Sequence, residues 1–311
     1  MQSFKKDILQ FLKKIIFFCV FCVFLYSISI TLWGTYFSKR YKPNLIYKPT
    51  VGYKRFKEAD STKNIDILFL GSSHAYRGFD TRIFRKEGYK TFNLGSSAQT
   101  PLHTKLLVNE YLELFNPKLI VYEVYPKPFT FDGVEASLRI IPNKPNLSTT
   151  GLVITHKHAK VLNSHLFSLK HKFLSNEVQI PKSKIDTYVS GGFVERKMSY
   201  YSPEKFNSHD IIINEMQLEN FKESITIFKK MNIPYILVQA PITSTRYNSF
   251  SNITYFNNLM SKQGTYFNFN VLMKLDDSLH FYDSHHLNQN GVSLFNDKFI
   301  KDVVKKMNIS K

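Results

Sequence analysis

The chain has 311 residues, with 42 Lys and Arg against 24 Asp and Glu, a formal net charge of +18. Apolar residues make up 43% and charged residues 21%, ordinary globular usage that excludes a wholly disordered chain, a collagen-like repeat and a multi-span membrane protein. The two cysteines, Cys19 and Cys22, share one apolar run, which excludes a disulfide framework and a cysteine-based zinc site in the rest of the chain.

From Ile15 to Phe37 there is no charged residue. As a helix this stretch covers about 35 Å, enough to cross a hydrocarbon core of about 30 Å. Trp33 and Tyr36 lie near one end, where aromatic rings favour the interface, and Lys13 and Lys14 flank the other. No small-residue cleavage site of the A-x-A kind follows. Residues 1–37 therefore read as an uncleaved anchor with its span at 15–37. Lys5, Lys6, Lys13 and Lys14 precede the span, and Lys39, Arg40, Lys42 and Lys48 follow it. The positive-inside rule does not choose an orientation between them. Residues 38–60, with Pro43, Pro49 and Gly52, read as a tether.

The remainder, 61–311, alternates short apolar runs with amphipathic stretches. Ile65 to Leu70 reads as a buried strand closed by Gly71, and residues 79–87 as a helix. Lys90 to Leu94 is a second strand. Thr100-Pro101 starts a helix that Pro117 ends. Lys118 to Val124 is a third strand. The alternation then breaks over about 127–210, which reads as an insertion, a lid or substrate-binding flap with a helix near 154–175. It resumes with a helix carrying Leu218, Phe221, Ile225 and Phe228, then strands at Pro234 to Gln239 and Tyr266 to Val271 with a helix at 252–262 between them. Val292, Phe295, Phe299 and Val303 mark a C-terminal amphipathic helix. Strands alternating with helices give an α/β domain with a mostly parallel sheet, whose sites form at the carboxyl ends of the strands.

Two motifs occupy such ends. Gly71-Ser72-Ser73-His74 follows the first strand. A serine there stands beside a helix N-terminus, whose N–H groups can bind an oxyanion; the same residues also suit a plain turn. Asp283-Ser284-His285-His286-Leu287-Asn288 precedes the last helix. An Asp three residues before a His can hold the imidazole tautomer while the His takes a proton from a serine. The plainer alternative is solvated histidines before a helix capped by Asn288. His285 is the other candidate base, although the Asp-x-x-His spacing favours His286. His74 either contacts substrate or shapes the turn.

Together and in this order, the motifs resemble those of the SGNH/GDSL hydrolase superfamily. The resemblance covers about residues 63–126 and 211–305, and excludes the anchor and the insertion. It implies a three-layer α/β sandwich with a flavodoxin-like, five-stranded, mostly parallel sheet. It implies Ser73 as nucleophile, with Ser72 where the family usually has Asp, and Asp283 and His286 as the remaining catalytic pair. Asn93-Leu94-Gly95-Ser96-Ser97-Ala98 is similar to the family's second block. The implied oxyanion hole is made of the backbone N–H of Ser73 and of Ser97 or Ala98. The third block usually carries an Asn that donates to the oxyanion, and Glu123-Val124-Tyr125-Pro126 has none. Losing one such donor costs about 100- to 1,000-fold in rate.

The anchor together with the GSS block is similar to the cell-envelope branch of the superfamily, which serves D-alanylation of teichoic acids and O-acetylation of alginate. That likeness implies a domain on the outer side of the cytoplasmic membrane, a cell-envelope glycan or acyl donor as its counterpart, and a membrane acyltransferase partner. No cofactor and no metal are expected; His156 and His158 lack further ligands nearby in the sequence. No nucleic-acid motif accompanies the basic residues, so anionic membrane lipid or an acidic glycan is the expected counterpart of the charge. Two readings stand: a serine acyl-ester hydrolase or O-acyltransferase, and an inactive module of the same fold that binds a glycan or a protein.

Overall fold

The computed structural model describes residues 2–34, 46, 49–174, 180 and 183–307. It opens with α1 (Gln2–Leu32), which is long and apolar enough over Phe4–Leu32 to cross a membrane. This helix begins well before the expected span at 15–37. Lys interrupts the apolar run but is a good helix former, so Lys5, Lys6, Lys13 and Lys14 lie within it. Tyr36 and Phe37 lie outside the described residues. The helix is exposed along most of its length, but its last turns dock: Ile30 is buried with Ile46 and Phe167, and the Tyr26 hydroxyl donates to Asn163.

The expected tether needs correction where it is described. Within 38–60, Gly52–Ala59 forms α2, which buries Arg55, Phe56 and Ala59 against the domain. Phe56 at 2% exposure belongs to the core. Residues 35–45 and 47–48 lie outside the described residues.

Among the described residues the strands are β1 (Ile67–Leu70), β2 (Thr91–Asn93), β3 (Leu119–Glu123), β4 (Asp186–Val189), β5 (Phe193–Arg196), β6 (Tyr235–Gln239) and β7 (Tyr266–Asn268). The further α-helices are α3 (Ser73–Gly78), α4 (Thr81–Lys86), α5 (Pro101–Phe115), α6 (Val134–Ile140), α7 (Leu147–His156), α8 (Ala159–Leu174), α9 (Glu215–Lys230), α10 (Ser244–Tyr247), α11 (Ile253–Ser261), α12 (Phe269–Leu272) and α13 (Gln289–Phe299). The main sheet has the order β2-β1-β3-β6-β7 and every pairing in it is parallel. This is the flavodoxin-like order.

The period-two alternation of buried strands builds the layers. Leu68, Leu70, Ile120 and Tyr122 point into one core with Phe56, Phe115, Phe221 and Phe256, from α2, α5, α9 and α11. Ile67, Phe69, Leu119 and Val121 point into the other, with Phe79, Phe84, Phe269, Phe295 and Phe299, from the segments around α3, α4, α12 and α13. The result is a three-layer α/β sandwich.

Three local expectations change. The helix expected at 79–87 is α4, and an unexpected helix, α3, precedes it: Ser72 caps α3 by accepting from the His74 N–H, and Asp80 caps α4 by accepting from the Arg82 N–H at 2.9 Å. The helix expected at 154–175 spans the end of α7 and the whole of α8. Lys157 adopts a left-handed conformation, φ +47°, which ends α7 before α8 begins. The strand expected to run to Val271 stops at Asn268, whose side chain accepts from the Asn270 N–H and caps α12.

The first part of the insertion, α6 to α8, is helical and packed. Leu138, Ile141, Leu152 and Val161 form its own small core, with Leu102 and Leu106 of α5 against it. The β4–β5 hairpin covers the β2 edge, and its turn donates nothing there but accepts: the Asn93 N–H gives to the Gly191 carbonyl at 2.7 Å. Gly192, at φ +92°, comes so near that a Cβ would sit 2.2 Å from the Asn93 oxygen.

Candidate active site

With every strand of the main sheet parallel, the loops that follow them meet at one edge. After β1 the chain turns sharply at Gly71, φ +134°, where a Cβ would sit 2.8 Å from the Glu123 carbonyl oxygen. A side chain is therefore excluded on both conformational and steric grounds. Ser72 takes the cap position and Ser73 the first position of α3. There the Ser73 N–H has no intrahelical acceptor.

The opposite wall is the loop before α13. Asp283 Oδ1 accepts from the His285 N–H at 3.0 Å and the His286 N–H at 2.8 Å, folding that loop into a tight turn. Asn288 then caps α13 by accepting from the Gly291 N–H at 3.1 Å. The Thr243 hydroxyl donates to the Ser284 carbonyl at 2.6 Å and ties the turn to the loop after β6.

These two walls bring the sequence-separated groups together. His286 Nε2 lies 2.7 Å from Ser73 Oγ, and His286 Nδ1 lies 2.8 Å from Asp283 Oδ2. The ring is held in place by its neighbours: Tyr282 stacks on it at 5.3 Å and His74 at 4.9 Å. Burial raises the Asp283 carboxyl, but the hydrogen bond from His286 and the charges of both histidines outweigh it and hold the group well below the usual carboxylate range. Asp283 is thus ionised beside Nδ1.

The histidine alternatives separate. His285 does not reach Ser73; its Nδ1 lies 3.1 Å from the Ser284 hydroxyl. Burial, then the neighbouring charge of His286, lowers its pKa to about 4. His74 is buried beneath the relay, at 4% exposure, and burial pushes its pKa well below the usual value. Its Nδ1 lies 3.2 Å from the Ser72 hydroxyl, so it backs the turn.

Above Ser73 lies a cleft of about 440 Å³. Ser73, Ser97, Ala98 and His286 all line it, and so do Lys127, Phe131, Glu135 and Phe206 of the insertion. Ala98 adopts φ +52°, a left-handed turn residue without the usual side-chain excuse.

Sequence reasoning missed the role of Glu123. It stands where the third block's Asn was sought, at the end of β3, but it is 2% exposed and points under the turn. Its Oε2 accepts from the Ser72 hydroxyl at 3.2 Å, and burial pushes its pKa up to about 8. A carboxylate closing an otherwise apolar strand was the available signal. Reasoning also missed Tyr282 and Thr243, whose neighbours are distant in sequence.

Asp283, His285 and His286 offer potential metal-ligand atoms within 4.8 Å of one another. Both ring nitrogens of His286 are already engaged by Ser73 and Asp283, so a cation there would displace the relay. His156 stacks on His103 at 5.9 Å instead of joining a ligand set with His158.

No protein-family profile matches the chain, and no curated protein matches it. Among solved structures, the chain is similar to a GDSL-like lipase from Bacteroides thetaiotaomicron, with 13% identity and a TM-score of 0.42 over 83% of this chain and 98% of that one. It is also similar to a protein from Bacteroides fragilis assigned as an acylhydrolase, with 10% identity and a TM-score of 0.41 over 82% of this chain and 95% of that one.

Proposed function

We propose that the chain is a membrane-anchored serine acyl-ester enzyme of the SGNH/GDSL hydrolase superfamily, an esterase or O-acyltransferase acting on a cell-envelope glycan. The observation that carries this is the Ser73–His286–Asp283 relay: Ser73 and His286, 213 residues apart in sequence, meet at 2.7 Å, and Asp283 lies 2.8 Å from the other ring nitrogen. Hydrogen bonds of that length, in the order nucleophile, base and orienting carboxylate, are the requirement for activating a serine.

In this reading Ser73 Oγ attacks the ester carbonyl while His286 Nε2 takes its proton. Ionised Asp283 holds the proton on Nδ1 and stabilises the imidazolium. The oxyanion meets the N–H of Ser73 and of Ser97 or Ala98. His286 then returns the proton to the leaving alcohol, and the acyl group on Ser73 passes to water or to a sugar hydroxyl. Helix α1 anchors the domain in the cytoplasmic membrane with the cleft on the outer side.

The second reading, an inactive module of this fold that binds a glycan or partner protein, draws on Glu123. No third-block Asn donates to the oxyanion, and the side chain present is turned beneath the nucleophile. Labelling the full-length chain in detergent with a fluorophosphonate ester decides between them. The esterase reading expects a covalent adduct that Ser73→Ala abolishes. A folded wild-type chain that takes no label would favour the binding module.

A further inference from the structure

Two cations line the cleft over Ser73 without a carboxylate partner among the described ion pairs: Lys127, just after β3, and Arg246 in α10. Arg246 is positioned by rings: its guanidinium carbon lies 5.0 Å from the Phe206 ring centroid and 5.2 Å from that of Phe250. Such packing fixes the guanidinium plane, and with one hydrogen bond going to the Tyr125 hydroxyl the other N–H donors of the five remain for a ligand. Lys127 lies near the ring of Phe131, 5.9 Å from the centroid.

The two positive groups act on each other and on the site. Burial, then the charge of Arg246, lowers the Lys127 pKa, and both cations disfavour a charge on His285. Like charges held together in a partly desolvated cleft are costly unless a counter-charge arrives. The acids nearby are engaged elsewhere. Glu135 on the same rim faces Arg139 at 3.8 Å, and Asp283 is bound to His286.

We propose that Lys127 and Arg246 form an anion subsite of the cleft, taking a carboxylate or phosphate group carried by the substrate beside its reacting ester. This assignment rests on the esterase reading for the meaning of the site, but binding of the anion does not depend on turnover. A planar guanidinium suits either oxyanion, as a fork of two parallel N–H bonds. The Tyr125 hydroxyl, lining the same cleft, accepts from Arg246 and can turn its own O–H to the anion.

The test uses the full-length chain in a neutral detergent, carrying Ser73→Ala so that no turnover occurs. Phenyl phosphate, benzoate and neutral benzyl alcohol are titrated calorimetrically at low and high salt. At least one anion should bind about tenfold or more tightly than the alcohol, with affinity falling as salt rises. The tighter of the two anions identifies phosphate or carboxylate as the substrate's group. Lys127→Gln combined with Arg246→Gln should weaken that binding by about tenfold or more, and Arg246→Lys should retain part of it. If the double variant does not fold by circular dichroism, Lys127→Gln alone supplies the comparison. Equal binding of all three compounds, or unchanged anion binding in a folded variant, overturns the proposal. Fluorophosphonate labelling of wild-type chain is read separately. An unlabelled Ser73 defeats the esterase reading and leaves the outcome of the anion titration standing.

Discussion

The Glu123 carboxylate at the end of β3 reaches beneath the turn that carries Ser73, accepting from the Ser72 hydroxyl at 3.2 Å. Its other oxygen is buried with no hydrogen-bond partner among the described residues. That environment favours the protonated acid, and burial lifts the pKa from 4.5 to about 8. The folded chain then keeps a proton that the unfolded chain has lost. Stability from this group is full below pH 4.5 and falls as pH rises to about 8.

Glu123→Gln keeps an acceptor for Ser72 and removes this titration. Urea midpoints measured near the two ends of that range should fall with rising pH in the wild type, and fall less in the variant. Parallel pH profiles for the two chains would show that Glu123 is ionised in the fold.

His103 offers the opposite sign. It is fully buried, with Nδ1 2.8 Å from the Thr100 hydroxyl and Nε2 2.7 Å from the Ser137 hydroxyl. Burial, then the charge of His156, lowers its pKa from 6.5 to about 3. Its contribution is present above pH 6.5 and is lost as pH falls towards 3. His103→Ala should cost about 2–4 kcal/mol, from a cavity and two orphaned hydroxyls. Because Ser137 sits on α6, amide exchange in α6 should quicken most. A uniform increase across the sheet would mean that His103 does not pin the insertion.

The five strands of the main sheet and the two site motifs were legible because each is local: an apolar run, a glycine, a fixed spacing; the β4–β5 hairpin, which carries no such apolar run, was not. The relay also joins Ser73 to His286 across the whole domain, and only the family resemblance linked those two positions in advance. Helix boundaries were less legible. Ser72 and Asp80 each supply a cap within a stretch that otherwise reads as one turn and one helix, and Lys157 breaks α7 from α8 with no glycine to announce it. The parts played by Glu123 and Arg246 were hard to read for a different reason. Their significance lies in what the fold places beside them, the Ser72 hydroxyl in one case and the rings of Phe206 and Phe250 in the other.

Helix α1 leads to a prediction about location. The full-length chain should stay with membranes after a high-pH carbonate wash, and a chain lacking residues 1–34 should not. Because Ile30 packs on Phe167, the shortened chain should also melt at a lower temperature than the intact one. A reporter fused at the C-terminus should be active only on the outer side of the membrane. Activity of that reporter in the cytoplasm would remove the envelope glycan as substrate.

The relay predicts a specific pattern of losses. Ser73→Ala removes the nucleophile and His286→Ala removes the base, so each should lower kcat on a small ester by about 10,000-fold or more. The double variant should be little worse than either, because residues that act as one unit are not additive. Asp283 has two separable jobs: its Oδ1 accepts the N–H groups of His285 and His286, and its Oδ2 lies against His286 Nδ1. Asp283→Asn can preserve the turn while offering His286 the wrong tautomer. Asp283→Ala loses both functions, yet the base remains, so its loss should be smaller than that of His286→Ala. If Asp283→Asn is as slow as Asp283→Ala while melting near the wild-type temperature, the carboxylate's charge and tautomer control matter more than the turn. Slow turnover of generic esters is expected even in the wild type, since Glu123 at the end of β3 points beneath the turn and offers no donor to the cleft. Should Ser73→Ala keep wild-type ester cleavage in a folded chain, the short contact to His286 is structural and Ser73 is not the nucleophile.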